Sequence, residues 1–194
     1  MSIVAERIDE TIKLEFAGLL RENDFKKSGR TWHALDGDSW LIVNVQASTS
    51  NLGDEGKFTV NLGVYSQAIA TLAGQAVHNG KPKEYESTIR TRLGSLAYGK
   101  DHWWVISPQS DLPVISRDIV DNMASFGLPW LRSHKTIAQL SETLKNSPSL
   151  LSFSAALLAE GKDEAERRLK AGLELRPAAK SNFTYWAKQN GILL

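Results

Sequence analysis

There is no cysteine in this chain. That excludes a disulfide framework, a thiol nucleophile and a thiolate metal site. No apolar run approaches the ~20 residues needed to span a bilayer, so no membrane partner is expected. The opening residues, MSIVAERIDETIKLEF, scatter acids among apolar positions, where a secretory leader would show a basic stretch and then a continuous apolar one. The cytoplasm is the expected compartment. An excess of charge of either sign is missing too: 23 Lys+Arg stand against 22 Asp+Glu, a net charge of +1. Dedicated nucleic-acid binders carry a basic excess because their affinity comes largely from neutralising phosphates, so the balance argues against nucleic acid as partner. Glycine-rich nucleotide fingerprints, the P-loop and the nucleophile elbow are all absent. His33, His78, His102 and His134 show none of the short spacings that signal zinc. No cofactor and no metal are expected.

What is present is enough for a folded core. The chain has 194 residues, 42% of them hydrophobic, and a domain of this length buries roughly 70% of its unfolded surface. Residues 2–22 read as an amphipathic helix, with Val4, Ile8, Ile12, Phe16 and Leu19 at helical spacing. The period then changes to two. Residues 31–35 and 39–46 form strands around an Asp36-Gly37-Asp38 turn, and residues 57–65 alternate cleanly. A short helix is expected over 67–77, a loop over 78–84, and further strands over 87–93 and 102–107, with a turn at Tyr98-Gly99-Lys100-Asp101 between them. Beyond residue 111 the pattern is helical. Asp111 caps a helix opening with Leu112-Pro113, Gly127 and Pro129 mark a junction, and helices follow over 136–146, 149–160, 163–175 and 178–190. Helices on either side of a block of strands indicate an α+β fold. The expectation is an antiparallel sheet of about five strands between an N-terminal helix and a C-terminal set. The domain is placed at 1–146, with a helical segment at 147–194 packed on it. Ser154 to Pro177 looks like one tetratricopeptide-type helix pair, but a solenoid needs about three such units, so an ordinary helical hairpin is expected.

Alternation also sorts the strand side chains by face. Leu41, Val43 and Val45 make one apolar row, which leaves Asn44 and Gln46 opposite. Asn61 and Tyr65 lie opposite the row of Phe58, Val60, Leu62 and Val64, and Arg90 and Arg92 opposite Ile89 and Leu93. If one face packs on the helices, Asn44, Gln46, Asn61, Tyr65, Arg90 and Arg92 share the other. Guanidiniums and amides there could hold an anionic or peptide ligand, although polar-out alternation is also the ordinary solvated side of a sheet. Of Trp103 and Trp104, one must enter the core and the other join the polar face. Trp104 is assigned to the polar face beside the arginines, where it could stack on a base or side chain.

Gly29-Arg30-Thr31-Trp32, Val43-Asn44-Val45-Gln46, the run GKFTVNLGV from Gly56 to Val64, Arg90-Thr91-Arg92-Leu93-Gly94 and Asp101-His102-Trp103-Trp104 together resemble, in this order, the bacterial domain-of-unknown-function family 4304. That resemblance implies no activity and transfers no catalytic residue.

The function expected is therefore a non-enzymatic binding protein, of an immunity or regulatory type, that presents its polar sheet face to another protein or a small anionic ligand. The ligand-binding residues would be Asn44, Gln46, Asn61, Arg90, Arg92 and Trp104. The alternative is a metal-dependent hydrolase or nucleic-acid-processing enzyme using loop carboxylates such as Asp54, Glu55 and Asp101. Nothing in the sequence sets the oligomeric state.

Overall fold

A computed structural model describes residues 2–75 and 80–192. The first helical stretch runs as α1 (Ile3–Thr11), a π turn (Ile12–Phe16) and α2 (Ala17–Glu22). Ser2 caps it by accepting a hydrogen bond from the Ala5 amide. The π turn inserts extra winding, so the buried stripe passes from Phe16 to Leu20, and Leu19 is only partly buried.

Among the described residues six strands form one antiparallel sheet: β1 (Lys26–Ser28), β2 (Thr31–Asp36), β3 (Ser39–Ala47), β4 (Gly56–Ser66), β5 (Ile89–Arg92) and β6 (Trp104–Ile106). The order is β1-β2-β3-β4-β5, and β6 pairs with the other end of the β4 edge that β5 occupies. At the β2–β3 turn Asp36 pairs with Ser39, and Gly37 at φ 61° supplies the positive φ that a two-residue hairpin needs at its first position.

Two expectations change. β1 is an additional edge strand. β5 stops at Arg92, and Leu93 opens a helix, α4 (Leu93–Tyr98), where a strand end was expected. The reason is packing. A Cβ on Gly94 would lie 2.5 Å from the His102 Cβ, so α4 rests directly on the return segment, and only glycine permits that approach. Helix α3 spans Gln67–Leu72. Residues 73–75 of the expected 67–77 helix form a turn instead, and its last two residues and His78 of the expected loop lie outside the described residues.

Asp111 caps α5 (Leu112–Asn122) through the Val114 amide. A second π turn, Met123–Gly127, leads into α6 (Leu128–Arg132), so Gly127 and Pro129 rewind the helix locally. Then come α7 (Ile137–Leu144), capped by a Thr136–Gln139 box, α8 (Leu150–Ala159), α9 (Lys162–Leu175) and α10 (Lys180–Gln189).

The main core lies between one sheet face (Trp32, Leu41, Val43, Phe58, Leu62) and the stripes of the N-terminal helices and α5–α6 (Ile8, Ile12, Phe16, Ile119, Leu131). Phe16 meets Trp32 edge-on at 5.6 Å between centroids. Phe153, Leu169, Phe183 and Trp186 form a second cluster among α8, α9 and α10. That cluster is tied to the sheet domain at α3, where the Trp186 indole donates to the Leu72 carbonyl at 2.9 Å.

Candidate functional site

Register fixes the second face of the sheet. Thr31 stands opposite Asn44, Asn44 opposite Asn61 and Asn61 opposite Arg92, while Gly63 stands opposite Arg90. The face gathers the expected polar residues, but it is not a uniform solvated surface. Residues 80–88 cross over its middle. The Pro82 carbonyl accepts from His33 Nε2 at 2.8 Å. Ser87 sits so close to β4 that a Cβ on Gly63 would lie 2.1 Å from its Oγ. Under and beside this segment Ile42, Tyr65 and Ala70 form a small apolar cluster of their own, with Trp40 packed against it. Burial pushes the Tyr65 hydroxyl up, and the nearby Glu86 carboxylate adds to the shift. Burial also pushes the His33 imidazole below its usual value, against the bond to Pro82, which raises it.

The two arginines have different surroundings. Arg90 donates through Nε and Nη2 to both oxygens of Glu84, at 2.9 and 3.0 Å, and Glu84 is only 8% exposed. This fork pins the crossing segment, so Arg90 is not a free anion-pairing group. Arg92 donates to Asp101 Oδ1 at 2.6 Å and places its guanidinium carbon 5.1 Å from the centre of the Trp103 ring. Both carboxylate partners come from the loops flanking the strands, not from the C-terminal helices.

Trp104 is a correction. It lies in the core, stacked on Phe58 at 5.9 Å, with its indole N–H donated to Asp118 at 2.7 Å. Register requires this, because Trp104 pairs with the core residue Phe58. The tryptophan beside Arg92 is Trp103. Its Nε1 donates to Asp101 Oδ2 at 3.0 Å, and Lys57 Nζ lies 5.5 Å from its ring centre. The hydrogen bonds from Arg92 and Trp103 hold the Asp101 carboxyl below its ordinary range. With Trp104 paired to Phe58, strand alternation places Trp103 on the polar face.

The amides form a ladder. Asn44 Nδ2 donates to Thr31 Oγ1 at 2.8 Å, and Asn61 Nδ2 donates to Gln46 Oε1 at 2.8 Å and more weakly to Asn44 Oδ1 at 3.4 Å. Asn61 is buried beneath them and Gln46 is exposed. Thus Gln46, Asn61, Arg92, Trp103 and Lys57 share the open end of the face. Lys57 and Trp103 are the members that sequence reasoning left out.

Asp54 and Glu55 lie exposed on the loop before β4, while Asp101 is committed to Arg92 and Trp103. Among the described residues no three His, Asp or Glu side chains are grouped so as to share a metal ion, and no helix is long and apolar enough to cross a membrane.

Compared with known proteins, residues 16–133 match the family model described as Domain of unknown function (DUF4304). No curated protein and no solved structure matches.

Proposed function

This chain belongs to the DUF4304 family, a domain of unknown function, and we propose, from the site itself, that it is a cytoplasmic, non-enzymatic binding protein that meets a partner protein through the open end of its polar sheet face. The observation behind this reading is the Trp103 cluster, an indole anchored by Asp101 with Lys57 and Arg92 over its ring. A half-buried tryptophan flanked by cations offers a partner both apolar area and positive charge, and Trp and Arg are the residues enriched in interface hot spots. Because Asp101 already orders the indole and the guanidinium, little rotamer freedom remains to be lost on binding. Val105, 62% exposed on the adjoining edge strand β6, extends the apolar part. The regulatory or immunity-type role is the biological form we attach to this surface.

The test is comparative capture from native lysate with the wild type, Trp103→Ala/Lys57→Ala, and Arg117→Ala on the helical layer as control. Truncating a hot-spot residue costs about 2 kcal/mol or more, roughly 30-fold in affinity. A partner held by the wild type and the control but lost by the folded double variant supports the surface. Equal recovery by all three would sink it.

A further inference from the structure

The crossing segment leaves a cleft of about 340 Å³ between itself and β1–β3, at the end of the polar face away from Trp103. Its lining is rich in residues that carry hydrogen-bond donors: Ser28, Thr31, Asn44, Lys81, Lys83 and Tyr85. Glu84 on its wall has both carboxylate oxygens taken by the Arg90 fork. Among the described residues neither lysine makes an ion pair, and the Lys83 ammonium hydrogen-bonds the Tyr85 side chain with the Glu86 carboxylate nearby, so the clearest uncompensated charge in the cleft is that of Lys81. His33 lines the inner wall, 6% exposed and bound through Nε2 to Pro82.

The orientation of Thr31 is set by the ladder. Asn44 Nδ2 also lies 3.5 Å from the Arg30 carbonyl, which can only accept, so the Asn44 amide nitrogen faces Arg30 and Thr31 and its oxygen faces Asn61. Thr31 Oγ1 therefore accepts from Asn44 and has its own proton left to donate. A hydroxyl donor next to two lysines suits a tetrahedral oxyanion, for which lysine acts as a point charge. The volume falls at the lower end of the small-molecule range. Tyr85, 61% exposed with Lys83 Nζ 5.5 Å from its ring centre, stands at the rim, where the organic part of a ligand would lie.

We propose that this cleft binds a small phosphomonoester, with Lys81 and Lys83 neutralising the phosphate and Thr31 donating to it. The site is independent of the Trp103 surface, and its test does not depend on that one. Calorimetry and amide chemical-shift mapping with ribose 5-phosphate, glycerol 3-phosphate, adenosine monophosphate and inorganic phosphate decide it. The expected result is saturable binding of at least one ester, tighter than inorganic phosphate, with shifts at Thr31, Asn44 and 81–85. Lys81→Gln/Lys83→Gln should weaken it at least tenfold and Thr31→Val several-fold, while Trp103→Ala leaves it unchanged. Both lysines are exposed, so their replacement leaves the fold intact. Failure of every ester to bind more tightly than about 1 mM, or binding indifferent to the lysine substitutions, overturns the proposal.

Discussion

Arg90 and Arg92 are two residues apart on one strand, face the same way and carry the same charge, yet their contributions differ because their partners differ. Glu84 is almost fully buried beneath Arg90, so removing the guanidinium leaves a buried carboxylate without its counter-charge. Arg90→Ala should cost about 1–3 kcal/mol in urea unfolding. Asp101 is half exposed beside Arg92, and Arg92→Ala should cost under about 1 kcal/mol. A double replacement of both arginines would thus confound binding with stability, which is why the binding test spares Arg90. His33 gives a second residue-scale prediction. Its folded pKa lies below the ordinary 6.5 because burial disfavours the imidazolium. In the window from 6.5 down to the lowered value the unfolded state holds more protons, so stability is full above 6.5 and falls as the pH drops through that window. His33→Gln, which retains a donor for the Pro82 carbonyl, should flatten this slope in urea titrations at pH 5 to 7.5.

At the scale of elements, close approach decides what pattern alone does not. The crossing segment lies on β4 only because residue 63 has no side chain. A Cβ there would meet Ser87 Oγ at 2.1 Å and its Cβ at 2.9 Å. Gly63→Ala should destabilise by about 1–3 kcal/mol, and Gly63→Ala/Ser87→Gly should recover a large part of that loss, a coupling a double-mutant cycle reads directly. The same constraint accounts for α4. Residues 93–98 carry no proline and no strong turn signal, and whether the chain continues as a strand or winds into a helix depends on the contact of Gly94 with His102, eight residues ahead.

For the whole molecule, the attachment of the C-terminal helices rests in part on Arg168, which is 4% exposed and donates to Glu160, Glu164 and the Ser141 carbonyl, joining α7 to α9 and the α8–α9 turn. Hydrogen bonds from Arg167 and Arg168 pull the Glu164 carboxyl down from 4.5 to about 2. A depressed carboxylate stabilises the fold above its unfolded value, and that contribution fades as the pH falls from 4.5 towards about 2. Acid unfolding should therefore steepen in this range, and Glu164→Gln should remove the steepening. Arg168→Met should cost roughly 1–3 kcal/mol, less than a fully buried pair would, because both carboxylates keep contact with water.

Local rules in the sequence were sufficient for the α+β class, the antiparallel pairing, the Asp36–Ser39 hairpin, the Asp111 cap and the assignment of Asn44, Gln46, Asn61, Arg90 and Arg92 to one sheet face. Each depends on a period of two or 3.6, or on a turn or cap a few residues long, so each is written within its own segment. The tertiary structure decided what covers that face, which carboxylate each arginine meets, which tryptophan is buried, and that a lysine-lined cleft opens beside Asn44. Those outcomes depend on where residues 80–88 and 101–103 return against strands elsewhere in the chain, and such returns are selected by close approach and charge compensation between distant segments, which no local period records.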